Sequence, residues 1–282
     1  MAELIPIVPG EVVEIAPGVR RLTAPNPGVM TGPGTNAYLL GHGDLALIDP
    51  GPDIESHRDA LLAAANGRLR WIFCTHTHRD HSPLARALKA ATGAQVFGFG
   101  RTPDDGRQDE TFAPDHALVD GDVVACDGFS LRAVHTPGHA SNHLCYLLED
   151  HGVLFTGDHV MQGSTVVISP PDGDMQAYLD SLERLLQLPV RALAPGHGHV
   201  IETPQDEVRR LIAHRLKRED KVRAALARVG PATLEVLVTH AYDDVPSRIH
   251  NVAMRSLHAS LIRLEKNGVA LCADGRWRVA EP

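Results

Sequence analysis

The sequence lacks paired cysteines and long apolar runs, and each absence excludes a class of protein. Its four cysteines, Cys74, Cys126, Cys145 and Cys272, are scattered over 282 residues with no Cys-x-x-Cys pair. This spacing argues against a disulfide framework and against a cysteine-based zinc site. No apolar run approaches the roughly 18 residues that a membrane-spanning helix needs. The first residues lack the basic and apolar regions of a signal peptide, so we expect a cytoplasmic protein without a membrane partner.

Charge is distributed unevenly along the chain. The net charge is −8, but from Gln205 onward 14 Lys and Arg residues stand against 10 Asp and Glu residues. The remainder holds 13 basic and 25 acidic residues. This shift in composition predicts a boundary between a larger domain at 1–204 and a smaller, mildly basic domain at 205–282.

The two parts also differ in their secondary-structure patterns. The first contains many short apolar strands interspersed with helices, and its polar stretch 100–122 predicts a long surface loop. The second predicts three helices followed by a small hairpin, which is the outline of a winged helix. The predicted helices cover 205–228, 232–242 and 251–267, and the hairpin covers 269–279.

A dense cluster of histidines follows the apolar strand predicted at 71–74. Residues 76–81 read His-Thr-His-Arg-Asp-His, an H-x-H-x-D-H pattern in a chain with 17 histidines. Ser82 and Pro83 come next and predict the N-cap and first turn of a helix. Imidazole and carboxylate are ligands that suit zinc and similar first-row metals. A polar surface loop without a metal is the alternative, but three histidines and an aspartate in six residues disfavour it.

Three more metal-type side chains stand beside glycine where other predicted strands end. They are His139 after Pro-Gly, Asp158 after Thr-Gly and His197 after Pro-Gly. Each is weak evidence alone, because most such turns are structural, but together with the cluster they make seven ligands. Seven ligands can serve two four-coordinate ions if one carboxylate bridges and water or hydroxide completes the shells.

The ligands divide naturally between two ions. One ion would take three histidines: His76, His78 and His139. The other would take Asp80, His81 and His197, and Asp158 would bridge the two. We also expect Asp80 to handle the proton of the attacking hydroxide. Asp49, at the end of the strand predicted at 45–48, is placed to brace the ligand loop by hydrogen bonds.

As a set, these motifs resemble the metallo-β-lactamase superfamily. The resemblance covers roughly the first 200 residues and rests on Ile-Asp49-Pro-Gly, the H-x-H-x-D-H loop, Thr-Pro-Gly-His139, Thr-Gly-Asp158 and Pro-Gly-His197. It implies an α+β protein, namely an αββα sandwich with the metals at one sheet edge. The stretches 26–39 and 242–246, together with the C-terminal winged helix, look like the β-lactamase-like protein 2 group.

The resemblance implies an enzyme, a dinuclear zinc hydrolase, and leaves its substrate open. The bond is an acyl ester, thioester or lactone in one hypothesis, and a phosphodiester of single-stranded RNA in the other. Iron or manganese are alternatives to zinc, and a homodimer stays open. Asn36 and His159 are candidate substrate contacts. The alternatives are a turn-forming role for Asn36 and, for His159, a residue that supports a ligand or is simply exposed.

A third hypothesis makes the winged helix a DNA-binding module and the metal domain its sensor. The last helix would then read DNA with Arg255, Arg263 and Lys266. The seven basic residues between Arg209 and Arg223 on the first C-terminal helix bear instead on the RNA hypothesis, since they favour an anionic substrate, although such a run is more often a solvated helix face. No aromatic residues are interleaved with them, which weakens a model of stacking on single-stranded RNA.

Overall fold

The computed structural model describes residues 5–280, and these form two compact units. The first unit comprises the chain up to 136, with 142–164 and 189–204. The second comprises 137–141 and 165–188, with the chain from 205 onward. Two short segments of the larger predicted domain thus group with the C-terminal residues. The exact boundary at 204 stays a prediction.

Two sheets make up the first unit. The larger contains, in this order, β1 (Val12–Ala16), β2 (Val19–Thr23), β3 (Asn36–Leu40), β4 (Leu45–Ile48), β5 (Leu69–Phe73), β6 (Gln95–Phe99) and β7 (His116–Leu118). The smaller contains β8 (Val123–Ala125), β9 (Ser130–His135), β10 (Leu144–Leu148), β11 (Val153–Gly157) and β12 (Ala192–Pro195), in the order β12-β11-β10-β9-β8. Strands β4 to β7 run parallel, as do β11 and β12.

Apolar side chains from both sheets form one core between them. The ring centroids of Tyr38 and Phe155 lie 5.1 Å apart, and those of Phe73 and Tyr146 lie 5.2 Å apart. Each such ring contributes roughly 1.5–3 kcal/mol through burial. Two helices, α1 (Glu55–Ala65) and α2 (Leu84–Thr92), cover the other face of the larger sheet through a second apolar cluster. The rigid layers fix the strand ends from which the candidate ligands project.

The segment after the ligand loop differs from the prediction in two respects. Ser82 does not cap α2, because its hydroxyl donates to Asp109 Oδ2 at 2.8 Å. The stretch 100–122 is also not entirely loop, since β7 pairs there with β6. A strand of three residues at a sheet edge is too short to show an alternating pattern, so no periodicity indicates it.

The second unit contains the predicted winged helix. Its helices are α3 (Met175–Leu185), α4 (Pro204–Val229), α5 (Leu234–Ala241) and α6 (His250–Lys266), with a short 3-10 helix at Ser247–Ile249. The hairpin consists of β13 (Ala270–Ala273) and β14 (Arg276–Val279). Trp277 on the hairpin is buried with Leu257 and Leu261 of α6. The α+β class and the C-terminal winged helix are therefore confirmed.

Among residues 5–280, no helix combines the length and the apolar character that crossing a bilayer requires.

Candidate metal centre

The ligand loop begins where β5 ends and is held by Asp49, the residue after β4. Because β4 and β5 are parallel neighbours, their carboxyl ends meet at one sheet edge. Asp49 Oδ1 accepts the backbone N–H of Thr75 at 2.7 Å, and Oδ2 accepts the Thr75 hydroxyl at 2.8 Å. His81 Nδ1 lies 2.9 Å from the same Oδ2. A carboxylate only accepts, so this nitrogen carries the proton and Nε2 is left to bind a ligand.

Four of the predicted ligands converge here: Asp80 and His81 follow β5 of the larger sheet, whereas Asp158 and His197 follow β11 and β12 of the smaller one. Asp158 Oδ1 lies 3.4 Å from His81 Nε2 and 3.3 Å from His197 Nε2. Asp80 Oδ2 lies 3.6 Å and 3.3 Å from the same two nitrogens. His81 Nε2 is buried, yet it makes no hydrogen bond of good geometry within the described residues. Because a buried nitrogen normally has a hydrogen-bond partner, its position between two carboxylates is consistent with a site that binds a cation.

Two further ligands from the loop lie beside this group. His76 Nε2 is 2.9 Å from His78 Nδ1, and the ring of His76 is held at Nδ1 by the Thr75 hydroxyl at 3.0 Å. One ligand atom from each of His76, His81 and Asp158 lies within 4.8 Å of the other two. The loop histidines and the Asp158 carboxylate are therefore close enough to share a metal centre.

The seventh predicted ligand, His139, belongs to the second unit, on the segment that follows β9. Its Nδ1 lies 2.7 Å from the backbone carbonyl of Val167. Because a carbonyl only accepts, Nδ1 carries the proton and Nε2 is the nitrogen with a lone pair. Metal-binding histidines characteristically have their second nitrogen bonded in this way. The assignment of all seven ligands to two ions stays a prediction.

Charge at the centre favours a cation. Burial alone would raise the pKa of Asp80, but the charge of His81 and the hydrogen bond from His197 outweigh it and lower that pKa to about 2. Burial alone would lower the pKa of His81, but Asp80, Asp158 and Asp49 raise it well above its ordinary value. The pKa of His197 is also raised, since Asp158 and Asp80 outweigh its burial. The carboxylates that hold protons on these rings would hold a divalent ion in their place.

His143 supports the bridging carboxylate, a role that the sequence does not predict. From the sequence it reads as an ordinary packing residue, but its Nε2 accepts the backbone N–H of Asp158 at 3.2 Å. Its Nδ1 lies 2.9 Å from the Thr136 hydroxyl. The His143 ring lies so close to the backbone of Gly157, which has φ 45°, that a Cβ at this glycine would be 2.8 Å from His143 Nε2. Nothing in the local sequence distinguishes this histidine from its neighbours.

The two candidate substrate contacts, Asn36 and His159, are both fully buried. Asn36 donates to the carbonyls of Pro195 and Gly198, at 3.0 Å and 2.9 Å, and accepts the Thr23 hydroxyl. Its side chain thus holds the turn that carries His197. This is a structural role and not a contact with substrate. His159 lies 5.9 Å from His143 between ring centroids and offers no exposed surface to a substrate.

A cleft of about 410 Å³ opens beside His197 in the first unit. Ile7, Val29, Met30 and Met161 give it apolar walls. His199 also lines it, and burial lowers the pKa of this imidazole, which therefore stays neutral at pH 7. The volume is within the range of sites for small molecules, about 300–1,000 Å³.

Comparison with known proteins agrees with this geometry. Residues 30–197 match the model of the metallo-beta-lactamase superfamily, and residues 233–277 match the beta-lactamase associated winged helix domain. The chain is 31% identical to the Beta-lactamase-like protein 2 homolog of Drosophila melanogaster, over 96% of this chain and 97% of that protein. It is 36% identical to an Atrochrysone carboxyl ACP thioesterase of Aspergillus fumigatus, over 88% and 80% of the two chains.

A solved structure extends the similarity to nearly the whole fold. A metallo-beta-lactamase family protein from Thermus thermophilus is 26% identical, with a TM-score of 0.79 over 94% of this chain and all of that one. More than half of the chain matches one family model, and a C-terminal stretch matches the domain associated with that family. These matches confirm the family that the histidine motif indicated. The chain belongs to the metallo-beta-lactamase superfamily of hydrolases and carries the winged helix associated with it.

Proposed function

We propose that the protein is a dinuclear metal hydrolase that cleaves acyl thioesters or related esters and lactones. The observation that carries the proposal is the convergence of ligands from strand ends of both sheets, where the carboxylates of Asp80 and Asp158 lie within 3.6 Å of two imidazole nitrogens. The thioesterase name of the fungal relative, at 36% identity, supports the acyl bond. Five histidines and two aspartates, with no cysteine, suit zinc, and iron is the alternative that the same nitrogen donors favour.

Each side chain has a task in this reaction. His76, His78 and His139 would hold one ion. Asp80, His81 and His197 would hold the other, and Asp158 would lie between them. When bound, two such ions lower the pKa of water to near 7 and polarise the oxygen of the scissile carbonyl. Asp49 keeps His81 in the tautomer that presents Nε2.

Asp80 is the residue placed to move a proton. Its side chain is 30% exposed, whereas those of His81 and Asp158 are 0% and 12% exposed. Burial alone would raise its pKa, but the charge of His81 and the hydrogen bond from His197 lower that pKa to about 2, so the carboxylate is ionised at neutral pH. The apolar cleft beside His197 would take the acyl group, because its walls give an uncharged chain a place to leave water.

The ion pairs of the C-terminal domain make RNA a less well supported substrate than an acyl compound. Arg218 and Lys221 on α4 are paired with Asp244 and Asp243, at 2.7 Å and 2.6 Å. Arg210 is paired with Glu207 at 2.6 Å. With Arg209, which lies 3.8 Å from Asp206, four of the seven basic residues between Arg209 and Arg223 are thus paired within their own helix or domain. A site for phosphates would need those cations free.

The test is a panel of thioesters, lactones, phosphodiesters and labelled single-stranded RNA on protein of measured metal content. We expect turnover of thioesters at two metals per chain. His76→Ala serves as the blank, and His151→Ala, on an exposed turn, is the matched control that should keep full activity. Cleavage of RNA without any acyl turnover would refute the proposed substrate class. Full turnover by metal-free protein would refute the metal mechanism.

A further inference from the structure

The segment that carries His139 is held by other parts of the second unit. The backbone N–H of Asp174 donates to the Gly138 carbonyl at 2.9 Å, and the Ser181 hydroxyl donates to the Pro137 carbonyl at 2.8 Å. Gly138 has φ 139°, and a Cβ there would lie 2.4 Å from Tyr178 Cα. The segment thus lies directly against α3 and cannot shift without moving that helix.

The imidazole itself is fixed by a neighbouring segment, residues 166–168. Val167 supplies the carbonyl that accepts from His139 Nδ1 at 2.7 Å. Val166 is 3% exposed and Ile168 is 0% exposed, so both flanking residues are buried. The direction of the Val167 carbonyl, and with it the orientation of the ring, depends on what holds these two residues.

Two C-terminal helices hold them. The guanidinium of Arg215 on α4, only 6% exposed, donates to the Val166 carbonyl and lies 5.1 Å from the centroid of the Tyr178 ring. On α6, Ser256 Oγ accepts the backbone N–H of Ile168 at 3.1 Å. The peptide groups on both sides of Val167 are therefore fixed from different helices, and the Val167 carbonyl is left to face His139.

Helix α6 is also tied to the start of α3. Arg263 donates to Gln176 Oε1 at 2.7 Å, and Lys266 is paired with Asp174 at 2.8 Å. Asp174 caps α3 and, through its N–H, also bonds the Gly138 carbonyl. Two of the three side chains that a DNA-reading helix would offer are thus used inside the domain.

We propose that the winged-helix domain orients His139 as a metal ligand, with Arg215 and Ser256 as positioning residues. They act through the peptide groups around Val167, not by contact with metal or substrate. The inference rests on the proposed function in one respect, since it takes His139 to be a ligand. It gives the domain a role in assembling the centre that requires no nucleic acid.

The test compares Arg215→Met and Ser256→Ala with Arg223→Met, the same change at an exposed position of α4. We expect the first two variants to lose affinity for one of two metals by on the order of 10-fold, since outer partners of ligands typically have effects of about 10–100-fold. Metal per chain is measured by mass spectrometry after dialysis against graded chelator. Arg215→Lys should restore part of the affinity, because an ammonium can still donate to the Val166 carbonyl.

A second readout uses metal-free protein. Nitrogen-15 spectra of the histidine rings should show His139 as the Nδ1-protonated tautomer in the wild type and in Arg223→Met. In Arg215→Met and Ser256→Ala the ring should populate both tautomers. If both variants fold, keep two metals with unchanged affinity and keep the single tautomer, the inference is wrong. Should Arg215→Met fail to fold, Ser256→Ala, which alters a different helix by one oxygen atom, decides the matter.

The two readouts separate this inference from the proposed function. A wild type that binds two metals but hydrolyses no acyl substrate would refute the function and leave the positioning role intact. A wild type that binds no metal would remove His139 as a ligand. If His76→Ala loses metal while both positioning variants keep an unchanged metal affinity, the positioning role is refuted and the proposed function is not.

Discussion

At the scale of single residues, Asp49 holds both ends of the ligand loop, at Thr75 and at His81. Its two oxygens accept from the Thr75 amide, the Thr75 hydroxyl and the His81 ring. The backbone at this aspartate has φ 50°, in the left-handed region, at a cost on the order of 1 kcal/mol. That cost is offset by three hydrogen bonds to a charged group, each worth about 1.5–3 kcal/mol.

Asp49→Asn should weaken metal binding without unfolding the protein. An amide keeps one acceptor oxygen but brings an N–H group that cannot accept from His81 Nδ1, so the ring loses its fixed tautomer. We expect a loss of about 10–100-fold in affinity for the metal near His81. Chelator competition measures it, with thermal unfolding as the check on folding. Asp53→Asn, on the exposed turn just beyond, should change neither quantity.

Asp158→Ala should remove metal and hydrolysis together. The change leaves His81 and His197 without the carboxylate that lies 3.4 Å and 3.3 Å from their Nε2 atoms. Metal content and turnover are measured on the same preparation. A variant that kept two metals yet lost turnover would assign Asp158 to the reaction alone, contrary to its predicted place between the ions.

The metal-free protein should lose stability as the pH rises above about 6.5, the ordinary value for histidine. The folded-state pKa of His81 is raised, so its contribution is fully present below that value and is lost as the pH rises through the raised pKa. Asp80 acts in the opposite sense, because its lowered pKa removes stability as the pH falls toward about 2. Thermal unfolding from pH 3 to 9 should show both losses. Added metal should reduce the loss of stability at alkaline pH, since the metal takes the place of the protons on the histidine rings.

The candidate ligands and the supporting Asp49 can be predicted from the sequence, whereas the supporting role of His143 cannot. The ligand loop is contiguous in sequence, and Asp158 and His197 stand beside glycines at strand ends. His143, by contrast, reaches Asp158 only because β10 and β11 are neighbours in the sheet. For Asn36 the sequence leaves two roles open, because a buried turn-forming amide and a substrate contact have the same local pattern.

At the scale of elements, the loop before β7 is joined to the ligand loop. Asn142 Nδ2 donates to the Thr77 hydroxyl at 2.7 Å, and that hydroxyl donates to Gln108 Oε1 at 2.7 Å. The backbone N–H of Asp109 also donates to the Thr77 carbonyl at 2.6 Å. The connection explains why Ser82 bonds Asp109 and does not serve as the helix cap that its place before Pro83 predicts.

Gln108→Ala should weaken the connection between the loop before β7 and the ligand loop, and so destabilise the protein. It leaves the Thr77 hydroxyl buried without its acceptor, at a cost of about 1–3 kcal/mol in the free energy of unfolding. Chemical denaturation measures the change. Glu110→Ala, two residues along and exposed, is the matched control and should be neutral. An unchanged stability for Gln108→Ala would mean that the loop is not anchored through Thr77.

Most helices and strands can be predicted because their apolar periodicity is strong. At the start of α3, Asp174 acts as the N-cap that its place before the helix indicates, with its Oδ1 accepting from the amides of Gln176 and Ala177 at 2.8 Å and 3.0 Å. The edge strands β7 and β8 are not predicted, since each has three residues and exposed positions. In such short elements, tertiary pairing and not local pattern decides the conformation.

At the scale of the whole molecule, the charge predicts weak binding to nucleic acids. The net charge is −8, and several basic residues of the C-terminal domain, among them Arg218, Lys221 and Arg263, are paired with carboxylates. Filter binding at low salt should therefore show no sequence-dependent retention of duplex DNA or single-stranded RNA. Affinity tighter than the usual non-specific range of about 10⁻⁴–10⁻⁶ M would contradict this expectation. Asp243→Asn with Asp244→Asn frees Lys221 and Arg218, and should increase retention if pairing is what suppresses it.

The contacts around His139 also bear on the order of events during synthesis. Ile168 and Ser256 are separated by 88 positions, and Val166 and Arg215 by 49. Domains generally fold as they emerge, at about 5–20 residues per second, so the first unit has all its strands some seconds before α6 exists. A nascent chain thus carries His139 without its C-terminal supports. If the proposed positioning role is right, a chain that ends before α6 is expected to bind metal at His139 more weakly than the full chain.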